Sequence, residues 1–146
     1  MRVLLISLLL FFQTDEDPQF RIIRYNGSDV KTTWKVDDRF YGKYEGSKSG
    51  FLELKKDGSG GYKYDVFGFA KPGCKKGVIE MEWGFLVDGD GDLVKFEREY
   101  GYSYPILLRS KSEDRSFKGC REQVMLDFIF DKSGVLGVSS SDDWEK

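Results

Sequence analysis

The sequence predicts an all-β fold: an antiparallel up-and-down barrel, with a β-sandwich as the alternative. Three observations carry this expectation. Apolar and polar residues alternate with period two in segment after segment, and no stretch shows good 3.6-residue periodicity. Turn residues divide the chain into nine or ten short segments, helped by 17 glycines and three prolines. Aromatic residues make up 16% of the chain, a composition that suits strands.

Length and charge set outer limits. At 146 residues the chain is one domain, and a domain of this size buries roughly two-thirds of its unfolded surface without needing metal or disulfide to fold. The net charge of −2 and a pI near 5.3 give no electrostatic footprint for nucleic acid. Histidine is absent, which removes the commonest general base and transition-metal ligand.

The elements follow in order. Met1-Arg2 precedes the run Val3–Phe12, apolar except at Ser7 and too short to span a bilayer. It reads as a signal peptide over residues 1–14, ending before the acidic Asp15-Glu16-Asp17; a buried first strand is the alternative. A secreted or periplasmic domain over 20–146, with no membrane span in the mature chain, is therefore expected. In an oxidising compartment Cys74 and Cys120, each just ahead of a predicted strand, most simply form a disulfide.

Strands are expected at 20–25 and 30–36, joined by the turn pair Asn26-Gly27. Asn26-Gly27-Ser28 also fits a glycosylation sequon, but the turn accounts for it without sugar. A strand at 51–55 and another from Tyr62 to Ala70 flank the glycine-rich turn Asp57–Gly61. That turn joins strand to strand and lacks Gly-Lys-Ser/Thr, so it is no phosphate loop. Lys71–Gly77 is a basic connection. Gly101–Pro105 is expected to break the chain before a short strand at 106–109, and Ser110–Lys118 to form a polar loop. Val124, Leu126, Phe128 and Phe130 share one face of a strand over 123–130, and 135–138 is the last strand.

Gly77 to Tyr100 is the clearest segment. Ile79, Met81, Trp83, Phe85 and Val87 form one apolar face. A two-residue loop at Gly89-Asp90 sets Phe85 opposite Val94, Trp83 opposite Phe96, Met81 opposite Arg98 and Ile79 opposite Tyr100. The other face then sets Glu82 against Glu97 and Glu80 against Glu99. Such like-charge pairs cost roughly 0.2–1 kcal/mol each unless a cation offsets them.

Phe40-Tyr41-Gly42-Lys43-Tyr44, followed by a meander of hairpins, is similar to the opening of lipocalin-like barrels, where a Phe-x-Gly-x-Trp segment begins the first long strand. Gly42 matches the glycine, and Tyr44 stands where Trp is usual. Phe51 to Gly58, followed by Tyr62-Lys63-Tyr64, resembles hairpins of small bacterial lipocalin-like domains. The resemblance spans about Arg39 to Phe130. It implies an eight-stranded barrel that closes its own edges and can hold one small ligand.

Inside such a barrel Trp83, Phe85, Phe96, Arg98 and Tyr100 line a ligand site, with Arg98 holding a carboxylate beside Tyr100. A structural Arg98 whose guanidinium reaches solvent is the alternative. Glu80, Glu82, Glu97 and Glu99 form an acidic face that a basic partner would meet, or that water simply solvates. Asp88, Asp90 and Asp92, with Glu99 at the twelfth position, imitate a calcium loop, but Leu93 stands where glycine is required and no helices flank it. A hairpin turn is expected there, with no metal. No Ser, Cys or Lys is placed as an activated nucleophile. The expectation is a binding protein for a small apolar, amphipathic or anionic ligand, not an enzyme, and with no cofactor. The alternative is a protein–protein module of inhibitor or immunity type that uses the acidic sheet face.

Overall fold

The computed structural model describes residues 19–45, 51–63, 77–99, 101–111, 122–131 and 136–140. Among the described residues ten strands make one antiparallel sheet. They are β1 (Arg21–Tyr25), β2 (Ser28–Thr33), β3 (Gly42–Glu45), β4 (Phe51–Leu54), β5 (Ser59–Lys63), β6 (Ile79–Leu86), β7 (Phe96–Arg98), β8 (Gly101–Ser110), β9 (Gln123–Asp131) and β10 (Leu136–Ser140). A single 3-10 turn, Asp38–Phe40, precedes β3. The all-β reading holds, with strand ends displaced by a few residues. The signal peptide, Cys74, Tyr100 and Cys120 lie outside the described residues.

The sheet runs in the order β10-β9-β8-β6-β5-β4-β3, with β2 attached to β6 and β7 to β8. Among the described residues it does not close into the barrel expected. It does curl strongly: the rings of Tyr44 on β3 and Phe128 on β9 meet at 4.9 Å, although four strands separate them in the sheet. Among the described residues no backbone ladder joins β3 to β10.

The spine is β6. One edge pairs with β8, placing Phe85 against Ile106, Trp83 against Leu108 and Met81 against Ser110. The other edge changes partner midway. Residues 79–82 pair with β5, and Phe85 and Leu86 pair with β2. Arg21 fills the junction: its Nη1 donates to Trp83 O at 3.3 Å and to Gly58 O at 3.2 Å, the latter also accepting from the Trp83 N–H at 3.1 Å.

The expected hairpin from 77 to 100 forms for only one bridge, Val87 with Leu93. The turn is one residue longer than expected. Gly91 N donates to Asp88 O (3.1 Å), Asp88 N donates to Asp92 O (2.8 Å), and Gly91 takes a positive φ of 84°. The same type I turn with a left-handed glycine joins β4 to β5, where Gly58 has φ 81°. The longer loop shifts the register by one. Continued, it would set Phe85 against Lys95 and Trp83 against Glu97, apolar against charged. The ladder stops instead, and β8 supplies Ile106 and Leu108 to those positions. Glu82 therefore faces Arg109, not Glu97, and Glu97 faces Tyr102.

Gly101–Pro105 does not break the chain. It forms the first half of the ten-residue β8. The edge of β8 facing β6 and β7 pairs with β7 through Ser103 and with β6 from Ile106. Ser110 N donates toward β9, to Glu122 O, and Lys111 N donates toward β6, to Glu80 O. Alternation then aims the Pro105 nitrogen at the gap between β7 and β6, where a missing N–H costs no ladder bond.

The inner face of the curl is one continuous apolar core. Trp83, Phe85, Phe40, Phe128, Met81, Ile106 and Leu108 are all buried within it. Ring stacking concentrates at one end. Phe40, carried there by the 3-10 turn, packs on Phe85, Tyr104 and Phe130 with centroids 4.9, 5.5 and 5.0 Å away. Such edge-to-face pairs add about 0.5–1.5 kcal/mol each beyond area burial. Burial raises the Tyr44 pKa above its usual value, and its hydroxyl donates to Phe40 O at 2.7 Å, fixing the plug. On the outer face β2 crosses β6 so closely that a Cβ at Gly84 would overlap the Thr32 side chain. Leu107 and Ile23 are fully buried yet stand apart from the main cluster, forming a smaller outer layer.

Candidate functional site

The structure divides the predicted ligand residues. Trp83 and Phe85 are buried in the core, and the Trp83 indole N–H donates to Ser59 O at 2.8 Å. Phe96 and Arg98 are exposed and lie on the opposite face of the sheet. The pairing of Phe96 with Ser103 fixes this, because Trp83 pairs with Leu108, of opposite parity along β8. Arg98 does not point into the interior. Its Nε donates to Ser103 Oγ at 3.0 Å, and its charge opposes the upward shift that burial imposes on the Asp127 carboxyl. The inward carboxylate clamp is thereby corrected, and its cause is the one-residue register shift at Asp88–Asp92.

The acidic face is likewise divided. Glu80 is exposed, and Glu97 and Glu99 are exposed on and after β7. Glu82 is half-buried between two cations, with Arg109 in direct contact and Arg21 Nη1 at 3.4 Å. Arg21 also stacks on the Trp34 ring at 4.4 Å. Burial pulls its guanidinium below the usual arginine value, against the opposing charge of Asp57. This cluster locks β1 to β5 and β6 and leaves no open acidic centre. Asp88 Oδ1 accepts from the backbone N–H groups of Asp90 (2.9 Å) and Asp92 (3.1 Å), so that aspartate serves the turn itself. Among the described residues no set of three acidic or sulfur side chains converges as metal ligands.

What remains is the inner face at the end away from Phe40. The antiparallel order sends the connections 46–50, 64–76 and 112–121 out from that same end. The inner positions nearest it are Leu52, Tyr62, Ile79, Met81, Val124 and Ser110. The first five are core residues. Among the described residues, Ser110 Oγ is the one buried side-chain polar atom without a hydrogen-bond partner. Sequence reading passed over it because β8 was expected to end at Arg109. Extending the alternation Ile106, Leu108 by one step would have placed Ser110 on the inner face.

No family model, curated protein or solved structure matches this chain. Among the described residues no helix is long and apolar enough to cross a membrane.

Proposed function

We propose that this chain is a secreted or periplasmic binding protein that holds a small apolar or amphipathic molecule inside its curled sheet. The resemblance to lipocalin-like barrels implies the same use of the interior, with the sheet closing on itself as a barrel. One observation supports the reading best. The inner face is apolar from β4 to β9 and is plugged at one end by the rings around Phe40, while the connections 46–50, 64–76 and 112–121 leave from the other end. A cup of this kind takes a ligand from the end at which no described segment packs over the inner face. The acting residues are then those near Met81 and Ser110, not Arg98.

Native mass spectrometry of the protein purified from an exporting host, without reductant, tests the reading. A reproducible adduct of small-molecule mass, released by denaturation, is expected. The same spectrum is expected to lack the leader mass and to carry a disulfide between Cys74 and Cys120. A protein without any adduct, and insensitive to added apolar ligands, would refute the carrier.

A second reading rests on a different observation. Phe96 remains 48% exposed on the outer face of the β7–β8 hairpin, with the Arg98 guanidinium over its ring. Exposed aromatics among charges suit a protein-binding surface. On this reading Phe96→Ala weakens partner capture without changing the melting temperature.

A further inference from the structure

We infer that Ser110 is the polar anchor of the interior site, and that the ligand is a non-anionic molecule with an apolar body and one hydrogen-bonding group, such as an alcohol or ketone. The inference rests on the carrier reading and specifies its chemistry.

Ser110 pairs with Met81 on the inner face of the β6–β8 ladder. Its hydroxyl is buried and unpartnered, an arrangement that costs free energy in a free protein. Its backbone does not explain it, because the Ser110 N–H is already bonded to Glu122 O at 2.9 Å. The core residues nearest it on the inner face, Ile79, Met81 and Val124, carry no polar side-chain atom, and its cross-strand neighbour Glu122 is exposed. A ligand that brings one donor or acceptor to this point removes the penalty, so the penalty becomes selectivity for that ligand.

An anion is excluded by the same geometry. Every described residue of the core cluster is uncharged. Arg98, the cation expected to receive a carboxylate, is on the outer face. Arg21 and Arg109 are committed to Glu82 on the outer face of β6. A carboxylate beside Ser110 would be buried without a counter-ion, which costs far more than one hydroxyl hydrogen bond returns.

The test compares toluene, benzyl alcohol and benzoate, which share a ring and differ in the polar group. Binding is followed by the NMR shift of the Met81 methyl, with the Met125 methyl, on the opposite face of β9, as the internal control. The expected order for the full chain is benzyl alcohol ahead of toluene, with benzoate not binding. Ser110→Ala is expected to lose about tenfold in benzyl alcohol affinity, to bind toluene unchanged, and to melt at or above the parent temperature. Equal benzyl alcohol binding by both proteins would overturn the anchor and leave the carrier standing. So would a clear loss of stability in Ser110→Ala, which would mean that the hydroxyl is already satisfied. Tighter binding of benzoate would overturn the non-anionic class. No response to any of the three would overturn the carrier itself.

Discussion

Two charged residues show how single side chains hold this sheet together. Arg21 satisfies two backbone carbonyls at the point where β6 exchanges β5 for β2, and it shares Glu82 with Arg109. Removing it takes a donor from Trp83 O, leaves Gly58 O with the Trp83 N–H alone and leaves Glu82 with Arg109 alone. Arg21→Ala is therefore expected to cost about 2–4 kcal/mol in urea unfolding, and Arg21→Lys to recover less than half, because an ammonium cannot fork between two acceptors or stack on Trp34. Asp127 behaves in the opposite sense. Burial raises its pKa above the usual 3.8, with Arg98 pulling it back. An acid whose folded value lies above its unfolded one contributes fully below the unfolded value, and that contribution is lost as pH rises through the folded value. Asp127→Asn is thus expected to be more stable than the parent near about pH 7, and the advantage to vanish near about pH 3.5. A constant difference across that range would contradict the assignment.

At the scale of elements, alternation located most strands but did not choose their partners. Val124, Leu126, Phe128 and Phe130 were legible as one buried face because each residue's burial follows its own parity. The pairing of β6 was not legible in the same way, because it turns on whether Asp88-Gly89-Asp90-Gly91-Asp92 closes over two residues or three. Gly91 in the left-handed region selects three, and everything beyond it changes face. The warning lay in Arg98 itself: the expected register put a charge on an apolar face, and the observed one takes it off. Ser110 was missed for a related reason. Pro105 reads as a strand breaker unless its nitrogen falls in a gap between partners, which depends on β7 and β6 meeting the same edge of β8. The attachment of β1–β2 can be tested at Gly84, where the outer face has no room for a Cβ. Gly84→Ala is expected to destabilise the protein by about 1–3 kcal/mol. It should also speed amide exchange at 21–33 before the rest of the sheet. Uniform acceleration would mean that β1–β2 is not a separable layer.

At the scale of the whole molecule, the central claim is that the two ends of the curled interior differ. Aromatic rings fill the end at Phe40, and aliphatic side chains, Tyr62 and the unpartnered Ser110 hydroxyl line the other among the described residues. The difference follows from where chain segments sit. The 3-10 turn brings Phe40 under β6, β8 and β9, and no described segment performs that role at the Met81 end. The composition signalled an apolar interior but not its asymmetry, because that depends on which loop crosses which end. The most direct measurement is a crystal of the protein pressurised with xenon, which enters apolar spaces without regard to hydrogen bonding. The account predicts xenon on the inner face among Leu52, Ile79, Met81 and Val124, and none beside Phe40. An interior without xenon, or xenon lodged only within the Phe40 rings, would contradict it.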